Sequence, residues 1–247
     1  MKALGVIPAR YQSSRLPGKP LKDLLGKPMI QYVYEAAMKA STLSSVVVAT
    51  DDQRIVEAVR AFGGNVVMTK IEHPSGTDRV AEVAARRDVD AVVNIQGDEP
   101  LLDPLMIDEC LNALVESGGA DLSTLKKSVG EEAYQDPGVV KVVCDRRGRA
   151  LYFSRSLIPY PRTKTPDFTV YEHVGIYAYT KDCLLRLSTL PPTPLEKIEG
   201  LEQLRALENG IAIQVAETRC TGELISVDTA QDLEKVRAIL EAGGTRH

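Results

Sequence analysis

Cysteine is scarce and scattered. Four residues, Cys110, Cys144, Cys183 and Cys220, lie far apart in a chain of 247. They show neither C-x-x-C spacing nor a neighbouring histidine pair, which argues against a zinc site and against a disulfide scaffold. Their expected role is small apolar filler in a reducing compartment. No uninterrupted apolar run approaches the ~18 residues of a membrane span, and the first residues read as a strand rather than a basic region followed by an apolar core. A cytoplasmic location is therefore expected. Positive charge is also short: 30 Lys and Arg face 34 Asp and Glu, a net charge of -4. That balance argues against general nucleic-acid binding and requires any anion site to be a local basic cluster. There is no internal repeat, no low-complexity segment and no linker that cuts the chain in two.

What is present begins at the first residues. The apolar run Ala3-Leu4-Gly5-Val6-Ile7 stops at Pro8, which has no amide for a sheet ladder, and the polar stretch after it carries Arg10, Arg15 and Lys19 with no acid before Asp23. This is a cationic loop at the carboxyl end of a strand, where open α/β sheets bind ligands; Gly18 allows close backbone approach and the cations suit a polyphosphate. A solvated loop with scattered charge is the plainer alternative. The loop is neither a Walker A sequence, since Pro20 follows Gly18-Lys19, nor G-x-G-x-x-G.

Periodicity predicts alternating strands and helices. A helix is expected over about Met29 to Ala40, a strand over Ser45 to Thr50, a helix capped by Asp51 and ended by Gly63-Gly64, and a strand over Asn65 to Thr69. The loop His73 to Arg79 opens another helix, Ala91 to Ile95 is a strand, and a helix runs from about Pro104 to Ser117. This order predicts a parallel sheet with flanking helices. The pattern then changes. After a strand over Leu122 to Leu125, Val139 to Cys144 and Ala150 to Ser154 flank Asp145-Arg146-Arg147-Gly148-Arg149 as a hairpin, so antiparallel pairing is expected in the second half. Ile158 to Phe168 is too proline-rich for regular structure. Val174 to Tyr179 reads as a strand and Asp182 to Leu190 as a helix. One helix is expected from Pro194 through Leu207, strands over Ile211 to Val215 and Leu224 to Val227, and a last helix over Thr229 to about Glu241. At this length the chain suits one large domain.

Several polar residues stand where chemistry could occur. Asp98 is the first carboxylate after a buried strand, and it would repel a polyphosphate unless Mg2+, typically held by one or two carboxylates and phosphate oxygens, came between them. A turn-forming aspartate is the alternative. Asp228 precedes Thr229 at a helix start and reads as a cap, but it also follows an expected strand and could serve as a second metal ligand. Arg79, near a helix N-terminus, is poorly placed for the dipole and needs an anionic or carbonyl partner, either a ligand or Asp51 or Asp78. His173 by itself reads as structural, and Glu202 and Gln203 as a solvated helix face.

Together these stretches resemble one family. Pro8-Ala9-Arg10, Ser14 through Leu21, Ala49-Thr50-Asp51-Asp52, Ser75 through Arg79 and Gln96-Gly97-Asp98-Glu99-Pro100 are similar to motifs of the sugar cytidylyltransferases. His173-Val174-Gly175-Ile176-Tyr177, Leu201 through Arg205 and Val227-Asp228-Thr229 resemble the branch that acts on 3-deoxy-manno-octulosonate (Kdo). The resemblance runs from Met1 to about Leu240 with the motifs in order.

It implies a single α/β domain of the nucleotide-diphospho-sugar transferase type, a mixed and mainly parallel sheet with an antiparallel hairpin or arm in its second half. Residues 1–130 would be mainly the CTP-binding half, and 131–247 the sugar-binding and dimerisation half of a homodimer. The implied reaction makes CMP-Kdo and pyrophosphate from CTP and Kdo for lipopolysaccharide assembly, with Mg2+ as cofactor. Carried over by motif, Pro8, Ala9, Arg10 and Arg79 would lie near the cytosine of CTP and Ser14, Arg15 and Lys19 near its triphosphate, with Ser75 also among the CTP-binding residues. Asp98 and Asp228 would hold the metal and, with Lys19, form the catalytic set. Gln96, Arg155, His173, Tyr177, Glu202 and Gln203 would line the sugar site. The rival readings are a cytidylyltransferase for another acidic sugar such as a sialic acid, and a silent nucleotide-binding module.

Overall fold

The computed structural model describes residues 1–12, 15–163 and 168–243. Along the chain come β1 (Ala3–Ala9), the short strands β2 (Asp23–Leu24) and β3 (Lys27–Pro28), α1 (Met29–Ala37), β4 (Ser45–Thr50), α2 (Gln53–Ala61), β5 (Val66–Met68), α3 (Gly76–Ala85), β6 (Ala91–Asn94) and α4 (Pro104–Glu116). They are followed by β7 (Leu122–Val129), β8 (Lys141–Cys144), β9 (Ala150–Ser154), β10 (Val170–Thr180), α5 (Lys181–Leu187), α6 (Pro194–Glu199), α7 (Gln203–Glu208), β11 (Ile213–Glu217) and α8 (Ala230–Gly243). The class is the expected one, a mixed sheet fold with flanking helices. Cα proximity groups the chain into two units, Met1–Asp108 with Cys220–His247, and Glu109–Arg219. Among the described residues no helix is long and apolar enough to cross a membrane.

In the first unit β1 lies between β4 and β6, and β5 lies beyond β4, all parallel. The run Val46-Val47-Val48 forms a central strand because both of its faces are covered, and all three side chains are buried. The β1 ladder ends at Pro8 opposite Ala49 and Ala9 opposite Thr50, so the chain leaves the sheet at the expected place. One apolar cluster joins Leu16 of the first loop, Leu24, Met29, Val227, and Leu233 and Val236 of α8. It holds the opening loop and the C-terminal segment in the same core.

Three expectations are corrected in this unit. Asp52, not Asp51, caps α2, its Oδ1 accepting from the Arg54 amide at 2.9 Å; the cap position goes to the residue whose extended backbone aims the carboxylate back at the first turn. Leu224 to Val227 has no strand structure. The Val227 amide instead donates one bond, 2.9 Å, to the Asp98 carbonyl. α8 is capped by Thr229, whose hydroxyl accepts from the Asp232 amide at 3.2 Å while Asp232 accepts from the Thr229 amide at 2.9 Å. The carboxylate of Asp228 is not used for that purpose.

In the second unit β7 pairs with β11 in parallel and with β10 antiparallel. β8 and β9 form the expected antiparallel hairpin around Asp145 to Arg149. The helix expected from Pro194 to Leu207 is two helices, because Gly200 takes a left-handed conformation, φ 63°, and ends α6 before α7 begins. The described part of Ile158 to Phe168 contains no helix or strand, as expected, and 164–167 lie outside the described residues.

Candidate active site

A cavity of about 380 Å³ opens where β1 ends. Its walls are Pro8, Ala9 and Arg10 from the strand end, Arg15 and Lys19 from the loop, and Gln96, Gly97 and Asp98 from the exit of β6. Gln12, Pro20 and Gly76 complete the lining. That volume falls in the usual range for a small-molecule site. Gly97 is required by close approach: a Cβ there would stand 2.8 Å from the Pro8 carbonyl oxygen, so a larger residue would push the β6 exit off β1. Gly18 adopts φ 68° and its amide donates to the Tyr11 carbonyl at 3.0 Å, closing the loop. Ser14, expected beside a triphosphate, lies outside the described residues.

Lys19 is the centre of the cluster. Its Nζ donates to Asp98 Oδ2 at 2.7 Å and to Asp228 Oδ1 at 3.1 Å, and Arg15 pairs with Asp228 Oδ2 at 2.9 Å. Burial works to lower the Lys19 pKa, but the charge and hydrogen bonds of Asp98, then Asp228, outweigh it and the net shift is upward. The ammonium stays charged, as a counter-ion to two carboxylates. Both carboxylate oxygens are in contact with one nitrogen, so they can be no farther apart than the sum of those two distances. A hard divalent ion held by two carboxylates and completed by water or phosphate oxygens fits this donor set. Among the described residues no group of three or more His, Cys, Asp or Glu could form a cage by itself.

The other candidates of this unit are held by the fold. Arg10 donates to the His73 carbonyl at 2.5 Å, and His73 in turn meets Glu82 at 2.5 Å. Ser75 caps α3 in a reciprocal box with Asp78. Arg79 is fully buried, paired with Asp51 at 2.8 Å and bonded to Thr69 Oγ1 and the Lys70 carbonyl, with its Nε buried and unpartnered. Of the two partners considered for it, Asp51 is the one it takes. This also explains why Asp51 does not cap α2.

In the second unit His173 and Tyr177 meet. They are four residues apart on β10, which in a regular strand is about 13 Å, yet their rings are 5.4 Å apart. A bulge is the cause: Val174 pairs with Leu125 and Tyr177 with Thr124, so Gly175 and Ile176 fall between consecutive partners on β7. Phe153 packs edge-on to the His173 ring at 5.0 Å. Burial pushes the His173 pKa from 6.5 down to about 3, so the ring is neutral at neutral pH. Arg155 sends Nε to the Glu199 carbonyl at 2.7 Å, NH1 to the Pro137 carbonyl at 2.8 Å and NH2 to the Gly200 carbonyl at 3.4 Å. It therefore ties the end of β9 to the C-terminus of α6, where a cation suits the dipole. Gln203 is buried at the start of α7, and Glu202 precedes it at the cap position.

The neutral His173 has a consequence for stability. A half-buried histidine that stays neutral in the native state lets the unfolded chain bind an extra proton below its own pKa, so stability is full above pH 6.5 and is lost as the pH falls towards about 3. At pH 5 the expected loss from this group is about 2 kcal/mol. Urea unfolding of wild type and His173→Gln at pH 7 and pH 5 measures it. An equal pH dependence in both would show that His173 is not the source.

Sequence reasoning left Gln12, Pro20, Gly76 and Gly97 out of the site. Gly97, directly before Asp98 at a strand exit, carried a signal, since a glycine there marks close backbone approach. Thr124 was also missed, and nothing local in its sequence distinguishes it.

Comparison with known proteins gives the family. Residues 4–215 match the family model described as Cytidylyltransferase. A 3-deoxy-manno-octulosonate cytidylyltransferase of Geobacter metallireducens is 53% identical, covering 96% of each chain. The enzyme of the same name from Syntrophotalea carbinolica is 52% identical, covering 97% of this chain and 99% of its own. A solved structure of CMP:2-keto-3-deoxy-manno-octonic acid synthetase complexed with CTP superposes with a TM-score of 0.93 at 47% identity, covering 98% of this chain and 99% of the other. With full-length identity near one half and a matching fold, this chain belongs to the cytidylyltransferase family, among the 3-deoxy-manno-octulosonate cytidylyltransferases.

Proposed function

We propose that this enzyme transfers CMP from CTP to the anomeric hydroxyl of Kdo, releasing pyrophosphate, with Mg2+ as cofactor. The observation that carries the reading is the single ammonium of Lys19 between Asp98 and Asp228, with Arg15 beside them. The anomeric hydroxyl attacks the α-phosphorus in line with the departing pyrophosphate. Arg15, Lys19 and the hydroxyl of Ser14 receive the triphosphate, and Lys19 meets the charge that grows on the leaving group. Pro8, Ala9 and Arg10 receive the base; Ser75 caps α3, whose Gly76 lines the cavity, while Arg79 is outside the lining and is held by Asp51, so that Ser75 and Arg79 serve CTP through the fold. Asp98 and Asp228 are the groups that hold Mg2+. When bound, the ion lowers the pKa of the attacking hydroxyl and offsets charge on the α-phosphate.

Gln96, Arg155, His173, Tyr177, Glu202 and Gln203 form the proposed set of sugar contacts, with amide and phenol donors suited to a carboxylate and hydroxyls. A histidine with a pKa of about 3 is too weak a base to take the anomeric proton, so its part is to accept a hydrogen bond. We place the enzyme in the cytoplasm, as a homodimer, in lipopolysaccharide assembly. Pyrophosphate release from CTP with Kdo, with and without Mg2+, tests the reading, and the same assay with a sialic acid separates the nearest rival. Release with the sialic acid but not with Kdo would transfer the reading to that rival; no turnover with either would favour a silent nucleotide-binding module.

Asp228 offers a sharp contrast with its neighbour. Asp228→Asn is expected to lower kcat by about a hundredfold or more while leaving the melting temperature nearly unchanged. Thr229→Ala is expected to do the reverse, removing the cap and about 1 kcal/mol of stability. Retention of most activity in Asp228→Asn would return Asp228 to a structural role.

A further inference from the structure

Thr124, on β7 opposite the β10 bulge, is fully buried, and its hydroxyl has three neighbours. The Ile176 carbonyl is 2.7 Å from Oγ1, the Val174 carbonyl 3.1 Å, and His173 Nε2 2.9 Å. A threonine hydroxyl has one proton and two lone pairs. Both carbonyls can only accept, and an oxygen–oxygen approach of 2.7 Å needs a proton between the atoms, which only the hydroxyl can supply; with its proton on the Ile176 carbonyl, the oxygen offers the imidazole only a lone pair. His173 Nε2 must therefore carry a hydrogen and donate it. In a neutral ring that leaves Nδ1 as the acceptor.

We propose that Thr124 is a positioning residue of the reaction: it holds His173 in the Nε2–H tautomer, so that Nδ1 accepts from a hydroxyl of the sugar. The proposal rests on the reading of His173 as a sugar contact. It adds a selection rule that the motif alone does not contain, since a ring nitrogen with a lone pair takes an O–H donor and refuses a carboxylate or phosphate oxygen. The same hydroxyl closes the bulge by supplying a proton where the strand ladder is interrupted. Ring position and ring tautomer thus depend on one atom.

Long-range proton–nitrogen correlation spectra of the wild-type enzyme at neutral pH read the tautomer directly, without a mutation. A proton on Nε2 is expected, and a proton on Nδ1 overturns the proposal. Steady-state kinetics of two variants read its effect. Thr124→Ser keeps the hydroxyl and should keep the tautomer, with KM for Kdo within about twofold of wild type. Thr124→Val removes it, and should mix the tautomers and raise KM for Kdo about tenfold with KM for CTP unchanged. An equal rise for both substrates would show that Thr124 only supports the fold. Mixed tautomers with an unchanged KM for Kdo would overturn the sugar-contact reading of His173, and the proposal with it.

Discussion

Asp98→Ala is expected to lower pyrophosphate release from CTP and Kdo by about three orders of magnitude or more. The substitution removes one of two carboxylates that converge on Lys19, and with it half of the protein's proposed hold on the metal. The fold should tolerate the change. Lys19 keeps Asp228 at 3.1 Å, so the half-buried ammonium is not left unpaired, and the Asp98 carbonyl still accepts from the Val227 amide. A melting temperature close to wild type together with lost turnover would assign the effect to the site. Normal pyrophosphate release by the variant would refute the metal role of Asp98 outright.

Lys19→Met should show two effects of opposite sign. Turnover is expected to fall, with kcat reduced by about a hundredfold or more, because the lost charge acts on a leaving group whose charge grows in the transition state. The affinity for Mn2+ in the absence of nucleotide is expected to rise about tenfold, because the ammonium that lies against both carboxylates is gone. Mn2+ titration followed by electron paramagnetic resonance reads the second effect independently of activity. A higher KM for CTP with kcat intact would reduce Lys19 to a binding residue. An unchanged Mn2+ affinity would mean that Lys19 and the divalent ion do not compete.

Much of the architecture was legible because it is local. The β-branched run at Val46 to Val48, the proline at the end of the first strand and the polar turn Asp145 to Arg149 each constrain a few neighbouring residues, and each element formed where expected. Two of the failures were cases where neighbours compete for one role. Asp51 and Asp52 are adjacent carboxylates before the same helix, and only the buried Arg79 decides which is drawn inward and which caps. Asp228 and Thr229 present the same choice before α8, and again the second residue caps while the first turns to a cation, here Lys19 and Arg15. Gly200 splits a helix that apolar periodicity joins, since periodicity counts side chains and ignores the backbone angle that ends the turn.

By itself the sequence determined the alternation of elements, the cationic character of the first loop and the identity of the acids available to it, because these follow from residue type and short-range spacing. Tertiary structure alone decided that Lys19 meets Asp98 and Asp228 across 79 and 209 residues of chain. It also decided that His173 touches Tyr177 through a bulge whose register is set by β7. Such contacts are made by packing between distant segments, where the directions of side chains depend on partners that no local window contains.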